Sequence, residues 1–218
     1  MRLYFVRHGQ TWLNVWQRLQ GWADMPLTET GLADAKRAGE LLKGAVTPDA
    51  IVASDLKRAQ DTADIINQVG YDEQFTVVPQ AAFREVYFGY FEGQSMAVLQ
   101  DVFANATTTA FTTDSDLAAL IGEDVLMDKL AQADTTQQAE DAVSYWQRIT
   151  QGLSELQATY GADATIIIVA HGAVIRKLAN RYESMTFHHN PNNGAVSEWD
   201  YDGQTLTLLN YDWTGQNA

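Results

Sequence analysis

Short apolar runs alternate with longer amphipathic stretches along this chain, and the alternation predicts strands and helices in turn. Residues 3–6 are branched and aromatic and stop at Arg7-His8-Gly9, the pattern of a buried strand ending in a turn. Residues 50–53 and 75–78 are two further short apolar runs. Residues 165–170 (Thr-Ile-Ile-Ile-Val-Ala) are apolar at every position after the threonine. Strands apolar on both faces belong to a sheet covered by helices on both sides. Helical spacing fills the intervals. Residues 28–42 begin on a capping-type threonine and end before Gly44. Residues 55–69 carry Ala59, Thr62, Ala63 and Ile66 at helical spacing and stop at Gly70. Residues 142–160 put Trp146, Ile149, Leu153 and Leu156 on one face, and residues 173–182 follow the strongest strand. Near the C-terminus, residues 195–201 and 205–210 flank Asp202-Gly203, a hairpin signal. The expected fold is α/β: a three-layer α/β/α sandwich around a mostly parallel sheet.

One stretch breaks the rhythm. Residues 101–143 are rich in Ala, Thr, Gln and Asp, with weak helical periodicity through Leu117, Leu120, Ile121, Val125, Leu126 and Leu130. It is expected to be a helical cap inserted into a single domain covering residues 1–218, and not part of the sheet.

Composition narrows the function classes. The 218 residues are 46% hydrophobic, enough for a sizeable core. Lys and Arg number 14 against 28 Asp and Glu, a net charge of −14. That acidity argues against nucleic acid or an anionic membrane as partner, since both need a basic footprint. There is no cysteine, so disulfides, thiolate nucleophiles and Cys-based metal sites are excluded. The N-terminal apolar run is too short for a signal peptide, and residues 166–170, the longest purely apolar run, fall far below the ~18 residues of a membrane span. A cytoplasmic setting is expected.

The candidate chemistry lies at the predicted strand ends. Ligands of open α/β sheets bind outside the carboxyl ends of the strands. Arg7 and His8 end the first strand, Arg58 sits in the first turn after the second, and His171 ends the fourth. Glu85 follows the third by a short loop. Two guanidinium groups suit a dianion, most naturally phosphate. A nearby histidine would be a nucleophile or an acid/base, and a carboxyl group a general acid. Each residue alone has a blander reading, a backbone partner for either histidine and a solvated charge for the others. Their joint placement is what points to a site.

The local sequences strengthen it. Arg7-His8-Gly9-Gln10-Thr11 with Asn14, then Gln20-Gly21-Trp22-Ala23-Asp24, resemble the Arg-His-Gly signature and following stretch of the histidine phosphatase superfamily, the phosphoglycerate mutase-like proteins. Ser54-Asp55-Leu56-Lys57-Arg58-Ala59, with Thr62-Ala63, is similar to a second element. Arg84-Glu85 with Phe88-Gly89 and Glu92-Gly93, then Val169-Ala170-His171-Gly172, then Asn193-Gly194, follow in family order across nearly the whole chain. The resemblance implies a phosphohistidine at His8, with Arg7, Arg58 and His171 binding the phosphoryl oxygens and Glu85 as general acid and then base. It implies no cofactor and no metal, and a small phosphorylated metabolite as substrate. Gly9, Gly21 and Gly172 join the expected substrate-binding set. Asn14 and Gln20 are candidate further phosphate contacts, with loop hydrogen bonding as the alternative.

Three rival readings remain open. His8, His171 and Glu85 form a two-His, one-carboxylate set for a metal, which two nearby guanidinium groups would oppose. A cofactor-dependent phosphoglycerate mutase would pass the phosphoryl group to a second hydroxyl, and Gly21-Trp22 leans that way. Residues 84–93 look more like the phosphatase branch, and Lys129 is the only basic residue between Glu85 and Tyr145, whereas a second phosphate needs its own cations. A non-catalytic phosphate-binding protein on the same fold is the third. Tyr87, Phe88, Phe91, Phe103, Phe111 and Met127 read as cap core or as an apolar wall at the mouth, and His188 and His189 as surface. Lys129 stands against nine acids within residues 101–143, so more than half the net charge lies in the expected cap. Small monophosphates with a neutral or cationic remainder should therefore outrun bisphosphates.

Overall fold

The computed structural model describes residues 1–103, 109, 111–183 and 189–213. The strands are β1 (Arg2–Arg7), β2 (Ala50–Ala53), β3 (Val78–Pro79), β4 (Thr165–Ala170), β5 (Val196–Tyr201) and β6 (Leu206–Trp213). They form one sheet in the order β3-β2-β4-β1-β5-β6. Pairing is parallel from β3 to β1 and antiparallel across β5 and β6. The sheet is thus mixed, parallel over its four strands β3, β2, β4 and β1.

The apolar run of β4 explains the layers. Side chains alternate across a strand. Ile166 and Ile168 join one hydrophobic cluster, Ile167 and Val169 the other. The second cluster is closed by α2 (Glu29–Leu42) and α3 (Lys57–Tyr71), through Ala38, Leu42, Ala59, Ala63 and Ile66. The first is closed by α7 (Ala142–Tyr160) and α8 (Gly172–Tyr182), through Ile149, Leu153, Val174 and Leu178. A one-turn helix α1 (Trp12–Val15) follows β1.

Residues 101–143 hold the end of α4 (Ala97–Val102), then α5 (Asp114–Ile121) and α6 (Glu123–Ala133), and the first residues of α7. Leu99, Phe103, Phe111, Leu117, Leu126, Met127 and Leu130 are buried in the same cluster as the sheet face. The aromatic residues of this region are therefore mostly core.

Three predicted elements shift. The helix expected over residues 55–69 starts at Lys57 and runs through Gly70 to Tyr71. Gly70 does not stop it, because a Cβ there would lie 3.0 Å from the Gly39 carbonyl oxygen; the glycine serves close packing of α3 on α2. Asp72, in the left-handed conformation, ends it instead. The third strand shrinks to Val78–Pro79, an edge pairing with Val52 and Ala53 alone. Pro79 has no N–H to offer a further strand. In the C-terminal hairpin, β6 runs on to Trp213, paired with Val196.

The connections define the crevice. After β1 the chain passes to α2 on one face; after β4 it passes to α8 on the other. β1 and β4 are neighbours, so their carboxyl ends flank the point where the connections diverge, where such sheets open a binding crevice.

Candidate active site

His8 and His171 stand on either side of that crevice, ring centroids 5.2 Å apart. Both are buried. The backbone N–H of His8 donates to Ala170 at 3.0 Å, so the residue is an extension of the β1–β4 ladder. Its carbonyl accepts from the Asn193 side chain at 2.9 Å. The ring is equally fixed. Nδ1 lies 2.8 Å from the Gly9 carbonyl oxygen, which can only accept, so Nδ1 carries the hydrogen. Nε2 receives the Arg58 Nε–H at 3.3 Å and so carries the lone pair. Burial, then the charges of Arg58 and Arg7, hold the imidazole well below its ordinary pKa. His8 is a neutral imidazole with Nε2 facing Arg58.

Arg58 is fully buried and held from behind. Its Nη2 donates to the Gly21 carbonyl at 2.7 Å, and Nη1 to the Ala23 carbonyl and Asp24 Oδ1, each at 3.1 Å. The carbonyls belong to a loop clasped by Glu92, whose two carboxylate oxygens accept the N–H groups of Gly21, Trp22, Ala23 and Phe88 at 2.8–3.1 Å. Arg7 donates through Nη1 to the Pro191 carbonyl at 2.6 Å. His171 Nε2 meets Ser54 Oγ at 2.8 Å. Burial, Arg58 and His8 keep His171 neutral as well.

Glu85 closes the opposite wall. Oε1 accepts the Val86 N–H and Oε2 the Ala173 N–H, each at 3.0 Å. Its own carbonyl is held by Trp22 Nε1 at 2.9 Å and by Arg148 at 3.4 Å. Burial raises the Glu85 carboxyl pKa against the pull of the two backbone donors and Arg58. A cavity of about 100 Å³ is lined by Arg7, His8, Asn14, Gln20, Glu85 and Gly172, with Arg18, Phe88, Asp114 and Asn190 among its further walls.

Among the described residues, Arg7 Nε, His171 Nδ1 and Gln20 Nε2 are buried nitrogens with no hydrogen-bond partner. Buried donors left unpaired cost stability. Arg7 and Gln20, which hold two of these donors, line the cavity with His8 and suit a small oxyanion.

The five residues singled out at strand ends are therefore brought together. Gly172 lines the cavity, and a Cβ there would sit 3.0 Å from Arg7 Nε, so the glycine leaves room for the guanidinium. Gly9 and Gly21 lie behind the wall instead. The Gly9 N–H donates to Thr62 Oγ1 at 3.1 Å, and Gly21 spends both backbone groups on Glu92 and Arg58. Their backbone groups are thus engaged by the protein itself. Asn14 lines the cavity but also caps α1 with Thr11, and its Oδ1 accepts the Thr11 N–H at 3.1 Å. Gln20 accepts the Thr11 hydroxyl at 2.6 Å and keeps its amide nitrogen free. Sequence reasoning gave no role to Ser54, Glu92, Asn193 or Asp114. The first three lie within the quoted motifs; Asp114 has no local signal. His189 is exposed, and His188 lies outside the described residues.

The family model of the histidine phosphatase superfamily, branch 1, matches residues 3–214. The chain belongs to that superfamily. A 2,3-bisphosphoglycerate-dependent phosphoglycerate mutase of Bifidobacterium longum is 28% identical over 194 residues, 85% of this chain and 78% of that protein. The crystal structure of a phosphoglycerate mutase from Bacillus anthracis str. Sterne superimposes with TM-score 0.87 at 27% identity, covering 99% of this chain and 94% of that one. The alpha-ribazole phosphatase from Shigella flexneri gives TM-score 0.71 at 25% identity, covering 98% and 97%. Histidine phosphatase superfamily members thus include both mutase and phosphatase neighbours of this chain. Among the described residues, no helix is long and apolar enough to cross a membrane.

Proposed function

We propose that this chain is a metal-independent phosphomonoester hydrolase working through a phosphohistidine on His8. The observation that carries the reading is the neutral His8, its lone pair on Nε2 against the Arg58 Nε–H, in a cavity shared with Arg7 and Gln20, whose Nε and Nε2 have no partner. A phosphoryl group entering the cavity displaces the Arg58 contact from Nε2 and takes Arg58 Nε–H, Arg7 Nε–H and His171 Nδ1–H on its oxygens. These donors stabilise the charge spread over the equatorial oxygens as the phosphoryl group transfers. Nε2 bonds to phosphorus as the ester oxygen leaves, and protonated Glu85 gives that oxygen its proton. The resulting carboxylate then takes a proton from water, which attacks phosphorus and frees His8 and inorganic phosphate. The Arg58 guanidinium on Nε2 disfavours a cation there, which speaks against metal ligation by His8.

A second reading, phosphoglycerate mutase, is favoured by the mutase relatives named above. It needs cations for a second anionic group. Arg18 is the one further guanidinium among the residues lining the cavity, and it is engaged with the Gly93 carbonyl at 2.8 Å. Asp114 opposes an anion from the other side.

One experiment separates the classes. Phosphate release and isomerisation are scored on p-nitrophenyl phosphate and on 3-phosphoglycerate, the latter with and without 2,3-bisphosphoglycerate. Release without isomerisation, and an acid-labile phosphoenzyme lost in His8→Ala, is the expected result. Isomerisation exceeding release supports the mutase. No release across pH and substrates, or a phosphoenzyme persisting in His8→Ala, overturns the proposal.

A further inference from the structure

The carboxylate of Asp114 stands in the catalytic cavity with no part in the mechanism above. It is the first residue of α5, capped by Thr113, and it faces the same cavity as Arg7, His8 and Glu85. A buried network fixes it there. Arg176, fully buried on α8, donates Nε to Glu123 Oε1 at 2.7 Å and Nη2 to Glu123 Oε2 at 3.1 Å. Lys177 adds a bond to Glu123 Oε2 at 2.7 Å. Burial pushes the Glu123 carboxyl up, but Lys177 and Arg176 outweigh it and hold its pKa at about 2. Glu123 is thus paired with both Arg176 and Lys177 beneath the cap.

Asp114 shares the Arg176 charge and stands within electrostatic reach of Arg7, but makes fewer bonds. Its Oδ2 accepts one bond from Arg176 Nη2 at 3.1 Å, and its Oδ1 has no protein donor among the described residues. The side chain keeps 21% of its surface exposed, while that of Arg176 keeps none. Its charge is felt inside the site. Burial is the largest cause of the raised Glu85 pKa, and Asp114 adds to it. A carboxylate at a low-dielectric cavity wall attracts a donor or cation and repels an anion more strongly than one in open water.

We infer that Asp114 is a specificity-determining residue, selecting phosphomonoesters whose alcohol carries a hydroxyl or ammonium donor and no second anionic group. This rests on the hydrolase reading above. It replaces the diffuse repulsion of an acidic cap by one named carboxylate. Other cap acids are already engaged: Glu123 with Arg176 and Lys177, Glu140 with Arg148 at 2.7 Å, and Asp134 with the N–H groups of Tyr90, Thr136, Gln138 and Ala139.

The test compares kcat/KM for phosphoethanolamine, glycerol 3-phosphate, ethyl phosphate and 3-phosphoglycerate in wild type, Asp114→Asn and Asp114→Glu. Wild type is expected to favour the first two over ethyl phosphate and to rank 3-phosphoglycerate last. In Asp114→Asn the preference for phosphoethanolamine over 3-phosphoglycerate should fall by about tenfold or more, the scale of one removed charge contact. Asp114→Glu, which keeps the charge, should retain the ranking. A purely structural role would lower all four substrates together and leave their ratios intact. Ratios changing less than about twofold in Asp114→Asn, or wild type favouring 3-phosphoglycerate, overturn the inference. If wild type also fails to turn over p-nitrophenyl phosphate or form the phosphoenzyme, the hydrolase reading itself falls; if it does both, only the role of Asp114 falls.

Discussion

Replacing Glu85 by glutamine keeps the shape of the buried side chain and removes its proton. The proposed role of that proton is to neutralise the departing oxygen. An alkyl phosphate loses an alkoxide and needs it; p-nitrophenyl phosphate loses a stabilised phenolate and needs it little. General acid catalysis contributes roughly 10²–10⁴-fold, or about 2.7–5.5 kcal/mol of barrier. Glu85→Gln should therefore lower kcat for glycerol 3-phosphate by that amount, and for p-nitrophenyl phosphate by about tenfold or less. The structure adds a stability cost. Both carboxylate oxygens accept a backbone N–H, from Val86 and from Ala173. A glutamine offers one oxygen, and its NH₂ then faces the other N–H, leaving a buried donor unpaired at about 1–3 kcal/mol. Melting temperature must be followed alongside activity. The two effects separate by pH. Burial raises the Glu85 pKa in the folded state, so its favourable contribution is complete below the unfolded value and lost as pH rises through the folded one. Glutamine does not titrate, so the stability gap between variant and wild type should narrow as pH rises. Equal losses of kcat for the two substrates, at temperatures where both proteins are folded, would refute the general-acid role.

Two further outcomes follow from the same geometry. The kcat/KM profile, corrected for substrate ionisation, should rise with pH through a His8 value below the ordinary ~6.5 and fall through a Glu85 value above the ordinary ~4.3. Glu85→Gln should lose the basic limb alone; an acid limb at or above the ordinary histidine value would mean that burial does not keep His8 neutral. Glu92→Ala strips the acceptor from four backbone N–H groups and frees the loop whose Gly21 and Ala23 carbonyls hold Arg58. It should cost roughly 2–5 kcal/mol in chemical denaturation, since bonds to a charged acceptor are the stronger kind, and raise KM for phosphate esters. Unchanged stability would remove Glu92 from the scaffold of the site.

The strand and helix order was legible because period and burial agree. Residues 166–170 are apolar throughout and are buried on both faces; residues 142–160 carry one apolar face and form α7 with the same bounds. Arg7, His8, Arg58 and His171 were legible because a parallel sheet brings its carboxyl ends to one edge whatever lies between them in sequence. The short β3 was not, because an edge strand of two residues depends on what β2 offers it. The clasp of Glu92 on residues 21–23 was not, because it joins segments about 70 residues apart.

By itself, the sequence determined the α/β class, the superfamily and the kinds of chemical group available. Those depend on residue type and local period, which survive without knowledge of the partners. Tertiary structure alone decided their states. His8 is neutral because it is buried beside Arg58 and Arg7, and its lone pair is on Nε2 because the Gly9 carbonyl accepts from Nδ1. Glu85 has a raised pKa only because it is buried. Within the acidic residues 101–143, Glu123 and Glu140 are matched by cations, while Asp114 keeps an oxygen open beside the site. A count of charges sets how much acid a segment carries; the packing of α5 and α6 on α8 sets which carboxylate meets the substrate.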